Sequence, residues 1–206
     1  MPRSVYDRLR ADIISGEFMP GDGLGETALG KRYGTSRTPI REALHRLELD
    51  LLVERTPRGM QVKGSTPEEI LDIYEVRIDL EGLAARAAAK RRTDLDLARI
   101  HAARDEMSNL ADAELRADTN RGFHESIWAA SHNQTLIDQL ERLSVHLLRY
   151  PTTTLSVEDR WESALSEHDE LISAIADRDS DAAEQIAEQH MSRARDIRLQ
   201  LYAQQR

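Results

Sequence analysis

The sequence holds no cysteine in 206 residues. That absence excludes a disulfide framework, thiolate zinc fingers, iron–sulfur clusters and a cysteine nucleophile, and it fits a reducing compartment. No apolar run approaches the roughly 18–20 residues of a membrane-spanning helix. Met1-Pro2-Arg3-Ser4 leads into an amphipathic segment and not into the apolar core of a signal peptide. No membrane partner is therefore expected, and the expected location is the cytoplasm. HExxH, the Walker A loop and GxSxG are also missing, so no strong catalytic signature marks an enzyme. No internal repeat and no low-complexity tract is present.

Length sets one or two domains, and a chain of this size buries roughly 70% of its unfolded surface without a metal or disulfide staple. Charged residues make up 32% of the chain and the formal net charge is −9. Taken globally, that charge disfavours nucleic acid. Its distribution reverses the inference. Residues 1–63 carry 11 Lys/Arg against 9 Asp/Glu, which leaves 17 against 28 for the rest. Two modules with different partners follow. The break falls at Lys63-Gly64-Ser65-Thr66-Pro67-Glu68-Glu69, where Thr66 suits an N-cap, Pro67 the first helical position and Glu69 a capping box. The expected domains are therefore 1–64 and 65–206.

Beyond Thr66 the chain reads as helices. Ile70, Ile73, Tyr74, Arg77, Glu81, Ala84, Ala85 and Ala88 recur at helical spacing to about Lys90. A second helix opens at Thr93, with Leu97, Ile100, Met107 and Leu110 on its stripe. A third runs around Leu115–Ser131, and a fourth carries Leu136, Leu140, Leu143 and Leu147 until Pro151 stops it. Thr152-Thr153-Thr154 reads as loop, and helices from about Val157 and about Asp181, the latter capped by Ser180, complete the chain. Six helices with short connections predict an antiparallel helical bundle.

The first module has a different grammar. Val5, Leu9, Ile13 and Ile14 make one amphipathic helix ended by Gly16 and Pro20-Gly21; Glu26, Leu29 and Tyr33 lie on a second that stops at Gly34. Thr35-Ser36 opens a third, with Ile40, Leu44, Leu47 and Leu51 on its apolar face and Pro39 in its first turn, where the missing N–H does no harm. Leu52–Arg55 and Met60–Lys63 then predict a hairpin, turning at Thr56-Pro57-Arg58-Gly59. Helix, helix, tight turn, helix, hairpin is a winged helix-turn-helix. A helix of this size enters the major groove of DNA, where arginine forks match guanine and helix-terminal amides and hydroxyls hold phosphates. An arginine at the hairpin tip suits a neighbouring narrow minor groove.

Leu24-Gly25-Glu26-Thr27-Ala28-Leu29-Gly30, then Tyr33-Gly34-Thr35-Ser36-Arg37-Thr38-Pro39-Ile40-Arg41-Glu42-Ala43-Leu44, resembles the signature of the GntR family of bacterial transcription regulators. Arg46-Leu47-Glu48, Leu51-Leu52-Val53 and Pro57-Arg58-Gly59 continue the match in order. The resemblance implies that Ser36, Arg37, Thr38 and Arg41 face operator DNA and that Arg58-Gly59 forms the wing contact. Thr27 stands where some members carry a DNA-contacting arginine. Leu49-Asp50 stands where the family usually has a residue followed by glycine, which implies a different helix exit.

In the second module three of the seven histidines face inward. His124 sits between Phe123 and Ile127; His168 has Leu171, Ile172 and Ile175 at +3, +4 and +7; His190 has Ile186 at −4 and Ile197 at +7. Neutral imidazoles converging in a bundle core build divalent metal sites. Taken one at a time, each also suits a satisfied core histidine. Asn120 lies one turn before His124 on the same face.

Asn120-Arg121-Gly122-Phe123-His124, Ser131-His132-Asn133, Glu167-His168-Asp169-Glu170-Leu171-Ile172, Asp177-Arg178-Asp179 and Glu188-Gln189-His190-Met191 resemble the FCD effector domain of the FadR-type branch of GntR regulators. That resemblance implies a helical bundle that binds a small organic acid, often through a metal held by one acidic residue and three histidines. His124, His168 and His190 carry over; the acidic position is Asn120, an amide that brings no charge. Asp118 lies on another helix face. The implied cofactor is a divalent metal, zinc first, with nickel or manganese also compatible with imidazole ligation.

Arg77 suits either an ion pair with Glu81 or a fork onto an effector carboxylate, and Asn133 is a second ligand-binding candidate. Trp128, Arg142 and Arg149 are weaker ones, and His45, His101, His132 and His146 read as surface or packing residues. Three functions compete: a ligand-responsive regulator binding a pseudo-palindromic operator as a homodimer, an all-α metalloenzyme acting on a small carboxylate, and a DNA-binding dimer with no effector. The missing catalytic motifs argue against the enzyme. The inward histidines and Arg77 favour the regulator over the effector-free dimer.

Overall fold

The computed structural model describes residues 4–64, 66–108, 110, 113–147, 154–157 and 159–204. Pro151, the loop 152–153 and Arg149 lie outside them. The elements run α1 Val5–Ile14, α2 Glu26–Tyr33, α3 Arg37–Leu49, β1 Val53–Thr56, β2 Gly59–Val62, α4 Pro67–Arg91, α5 Asp94–Glu106, α6 Ala113–Ala130, α7 Gln134–Leu147, a 3-10 turn Thr154–Ser156, α8 Arg160–Ala176 and α9 Ser180–Gln204. They form two compact units. The first holds the chain up to Thr66 together with the end of α7 from Ser144; the second holds Pro67–Leu143 and the later helices.

The first unit is a winged helix-turn-helix. Ser4 caps α1 in a reciprocal capping box with Asp7. Gly34, at φ 66°, ends α2 in the left-handed region that glycine adopts without strain. Close to it, the Thr35 carbonyl oxygen lies 3.0 Å from where a Cβ on Gly30 would sit, so a side chain there would have to push this backbone aside by a few tenths of an ångström. Leu9, Ile13, Leu24, Leu29, Tyr33, Ile40, Leu44, Leu47, Leu52, Val53 and Val62 make one buried core under the three helices and the hairpin. In the hairpin Val53 pairs with Val62 and Thr56 with Gly59, one residue nearer the tip than the apolar pattern suggests. The Thr56 hydroxyl draws the tip in, bonding to Gly59 and Arg58. Past the helix exit at Asp50, Leu51 takes the left-handed conformation, at φ 55°.

The second unit is all helix. Connections of two residues after α4 and three after α6 and α8 turn the chain back on itself. Its main core gathers Ala85, Ala88, Ile100, Met107, Phe123, Ile127, Trp161, Leu171, Ile172 and Ile175, and a smaller cluster joins Ala84, Trp128, Leu136 and Leu140. Thr93 caps α5 in a second capping box, with Asp96. α8 begins later than about Val157, because the 3-10 turn and Asp159, at φ 60°, precede it. Asp179 and not Ser180 caps α9: its carboxylate accepts from the Ala182 N–H at 3.1 Å. No helix among the described residues is long and apolar enough to cross a membrane.

Two arginines lock the α4 and α8 ends reciprocally. Arg92, just past α4 and 9% exposed, donates to the Ile175 and Ala176 carbonyls at 3.2 and 2.6 Å. Arg178, just past α8, donates to the Ala89, Lys90 and Arg92 carbonyls at 3.5, 3.3 and 3.2 Å. Each guanidinium donates to carbonyls at the end of the other helix, a charge-assisted arrangement. Arg92→Met therefore lowers the stability of this unit by about 1–3 kcal/mol, through the lost bonds to the Ile175 and Ala176 carbonyls. Urea unfolding followed by circular dichroism checks this; an unchanged midpoint contradicts the capping role.

Candidate functional site

On the winged unit, α3 presents Ser36, Arg37, Thr38 and Arg41 on an exposed face. Ser36 is the N-cap residue, yet its hydroxyl makes no bond to the first turn of its own helix. Hydroxyl and helix N-terminal amides are thus both available to a phosphate. Arg41 is forked onto Glu26 of α2, Nε to Oε1 at 3.0 Å and Nη2 to Oε2 at 3.1 Å. Glu26, Thr27, Gly30, Lys31, Gly34, Thr35, Ser36 and Arg37 line an open concavity where α2 meets α3. Arg58 and Gly59 are exposed at the hairpin tip, Gly59 at φ 119°. The winged unit thus carries an exposed cationic helix start and an exposed cationic wing tip on one core.

In the bundle, α6, α8 and α9 bring His124, His168 and His190 together. The three are 3%, 0% and 4% exposed. One ring nitrogen from each lies within 4.8 Å of the others. The cluster could hold a metal ion, whose bonds of about 2 Å would need these nitrogens to draw closer together. His168 stacks on Phe123, with ring centroids 4.1 Å apart. Burial, reinforced by neighbouring cationic groups, holds His124 and His168 well below the usual histidine range. Neutral rings are the ligating form. Nε2 of His124, both nitrogens of His168 and Oδ1 of Asn120 are buried without a hydrogen-bond partner. Orphaned buried polar atoms are costly, and unpaired nitrogens on His124 and His168 fit a centre that could accept a cation, one nitrogen from each ring.

Two carboxylates flank the histidines. Glu81 of α4, 4% exposed, accepts from Arg77 Nε and Nη2 at 3.1 and 3.0 Å and from Trp128 Nε1 at 2.7 Å. It stands 3.7 Å from His124 Nδ1, beyond hydrogen-bond reach. The Arg77–Glu81 ion pair is therefore made. Glu167 of α8 accepts from Arg160, Arg193 and Ser163 and lies 2.5 Å from His190 Nδ1. Burial pushes the Glu167 carboxyl up, but the bonds from His190 and Arg193 outweigh it and hold it below the usual carboxylate range. Burial also lowers His190, so the pair is a neutral imidazole against a carboxylate.

The remaining candidates have other positions. Asn133 caps α7, its Oδ1 accepting from the Leu136 N–H at 3.3 Å. Asp118 pairs with Arg121 on the exposed side of α6. Arg142, His45 and His101 are exposed, and His132 bonds to Asp96 at 2.9 Å. Reasoning from sequence overlooked Glu167 and Arg160. Both fall on the α8 stripe of Ala164, Leu171 and Ala174, seven residues apart. A glutamate and an arginine two turns apart on an apolar stripe were the available signal.

Two family models match the chain. Residues 2–60 match the model of the gntR family of bacterial regulatory proteins, and residues 72–193 match the FCD domain. The chain is 32% identical over 203 residues to the galactonate operon transcriptional repressor of Escherichia coli (strain K12), covering 87% of this chain and 88% of that protein. It is 31% identical over 208 residues to the HTH-type transcriptional regulator LutR of Bacillus subtilis (strain 168), covering 90% and 95%. The fold matches that of E. coli McbR/YncC with a TM-score of 0.79 at 24% identity, covering 96% of each chain. These relatives are regulators and not enzymes, which removes the metalloenzyme reading. With a winged helix-turn-helix followed by an FCD bundle, this chain belongs to the GntR family of ligand-responsive, DNA-binding transcription regulators.

Proposed function

We propose that two copies of the chain pair on a pseudo-palindromic operator and that a small organic or sugar acid in the bundle alters their hold on it. Each α3 start, with Ser36, Arg37, Thr38 and Arg41, enters a major groove, and Arg58-Gly59 touches the backbone or minor groove beside it. His124, His168 and His190, with the Asn120 amide oxygen, hold a divalent metal, zinc first and nickel or manganese as substitutes. The metal supplies a Lewis-acidic centre for an effector carboxylate. Arg77 offers a guanidinium fork to the same class of anion, in exchange for Glu81.

The observation that carries this reading is the set of buried, unpartnered donor atoms on His124, His168 and Asn120. A purely structural core pairs such atoms. The named function of the galactonate operon repressor supports a sugar acid as the effector class. Operator affinity, measured by fluorescence anisotropy on the zinc-loaded protein, tests it against a panel of sugar acids, short hydroxy acids and neutral sugars. An acid that couples to DNA changes affinity about 5–150-fold, the usual range of a 1–3 kcal/mol coupling. Affinity unchanged by every acid favours the effector-free dimer instead.

A further inference from the structure

We infer that Glu167 is the positioning residue of the histidine centre: it fixes the His190 ring with its proton on Nδ1 and supplies the carboxylate that Asn120 does not. The inference rests on the metal reading above. It concerns a residue outside the donor set, and it follows from an asymmetry among the three histidines.

His168 has no hydrogen bond at either ring nitrogen, and His124 has none at Nε2, with Glu81 3.7 Å from its Nδ1. His190 alone meets a carboxylate at bonding distance, Glu167 Oε2 at 2.5 Å. Arg160 Nη2 stands 3.4 Å from the same Nδ1, but a guanidinium only donates. It leaves the acceptor role to Glu167. A neutral imidazole bonded in this way carries its hydrogen on Nδ1, so its lone pair is on Nε2. A carboxylate behind a ligating histidine orients the ring and raises its basicity.

Glu167 is itself held rigidly. It is 5% exposed. Oε1 takes Arg160 Nη1 at 3.0 Å, Arg193 Nη1 at 2.6 Å and Ser163 Oγ at 3.1 Å, while Oε2 takes the same Arg160 nitrogen at 3.0 Å beside His190. Five contacts from four residues on α8 and α9 leave the carboxylate one orientation. Its charge also matters here. The donor set of three neutral imidazoles and one amide has no charge to set against a divalent cation, so the nearest negative groups must do so. Glu167 is bonded directly to one of the ligands, and Glu81 is not.

The test uses the full-length, metal-stripped protein and zinc(II) alone as probe. Competition against a chromophoric chelator gives the zinc dissociation constant of wild type, Glu167→Ala, Glu167→Gln and, as a control, Arg195→Ala, whose guanidinium pairs with Asp196. Glu167→Ala is expected to weaken zinc about 10–100-fold, the usual cost of losing such a partner. Glu167→Gln, which keeps an acceptor oxygen but not the charge, falls between it and wild type, and Arg195→Ala stays within a few-fold. Nitrogen-15 spectra of the metal-free protein report the tautomer: His190 is all Nδ1–H in wild type and a mixture in Glu167→Ala. If Glu167→Ala does not fold, as circular dichroism will show, Glu167→Gln decides both readouts. Zinc affinity and the His190 tautomer unchanged in the folded variants overturn the assignment. Wild-type protein that binds no zinc overturns the metal reading itself.

Discussion

Arg37→Ala lowers affinity for the specific operator by about 1–3 kcal/mol, roughly 5–150-fold, while leaving the fold intact. Arg37 is exposed at the first position of α3, where removing it disturbs no core contact. If it reads a base, the loss is confined to the specific site; if it holds a phosphate, binding weakens on all sequences and the salt slope falls by about 1. Titrations on operator and random duplex at two salt concentrations separate the two. Arg41→Ala is expected to cost less than Arg37→Ala, because its fork is already on Glu26. Glu26→Gln frees that fork and removes a negative group beside the DNA face, so it raises affinity for random duplex. Unchanged operator binding in Arg37→Ala contradicts the placement of α3 in the groove.

Zinc(II) at 100 times its dissociation constant stabilises the bundle by about 2.7 kcal/mol, which for a chain of this size is roughly 5–10 °C in Tm. His168→Ala abolishes that shift, and so does a chelator. Differential scanning calorimetry checks both; an identical shift in wild type and His168→Ala sinks the site. Acid acts on the metal-free protein in a direction that burial fixes. Each of the three histidines lies below its ordinary value of 6.5 in the folded state. Below about pH 6.5 the unfolded chain binds protons that the folded chain does not, so stability is present above that pH and falls as pH drops. The slope reaches at most about 1.4 kcal/mol per pH unit for each imidazole. A flat stability profile between pH 7 and 5 contradicts neutral buried rings.

Some of this site was legible because periodicity exposes it. His124, His168 and His190 each share a stripe with apolar neighbours, and a helix turns such a stripe toward the core. The same holds for the winged unit, where Gly34 and Ser36 punctuate the two helices. Glu167 was missed because an acidic residue on an apolar stripe reads as a boundary of that stripe. Its meaning depends on Arg160, on Arg193 and on a histidine 23 residues later. Asn133 shows a role that the sequence reading did not assign: its Oδ1 caps the start of α7.

The sequence by itself determined the class of both units, the three helices and hairpin of the winged unit and which three histidines point inward. These follow from local spacing, turn chemistry and the burial of apolar faces, all of which act over a few residues. Global charge was the wrong scale, because −9 averages a near-neutral winged unit with an acidic bundle. Only the tertiary structure decided that the three imidazoles meet within 4.8 Å, that Arg77 is paired with Glu81 and Arg41 with Glu26, and that Glu167 backs His190. Those pairings are choices among many charged side chains of similar reach. Packing between elements distant in the chain selects among them, and no local pattern records which arginine a given carboxylate will find.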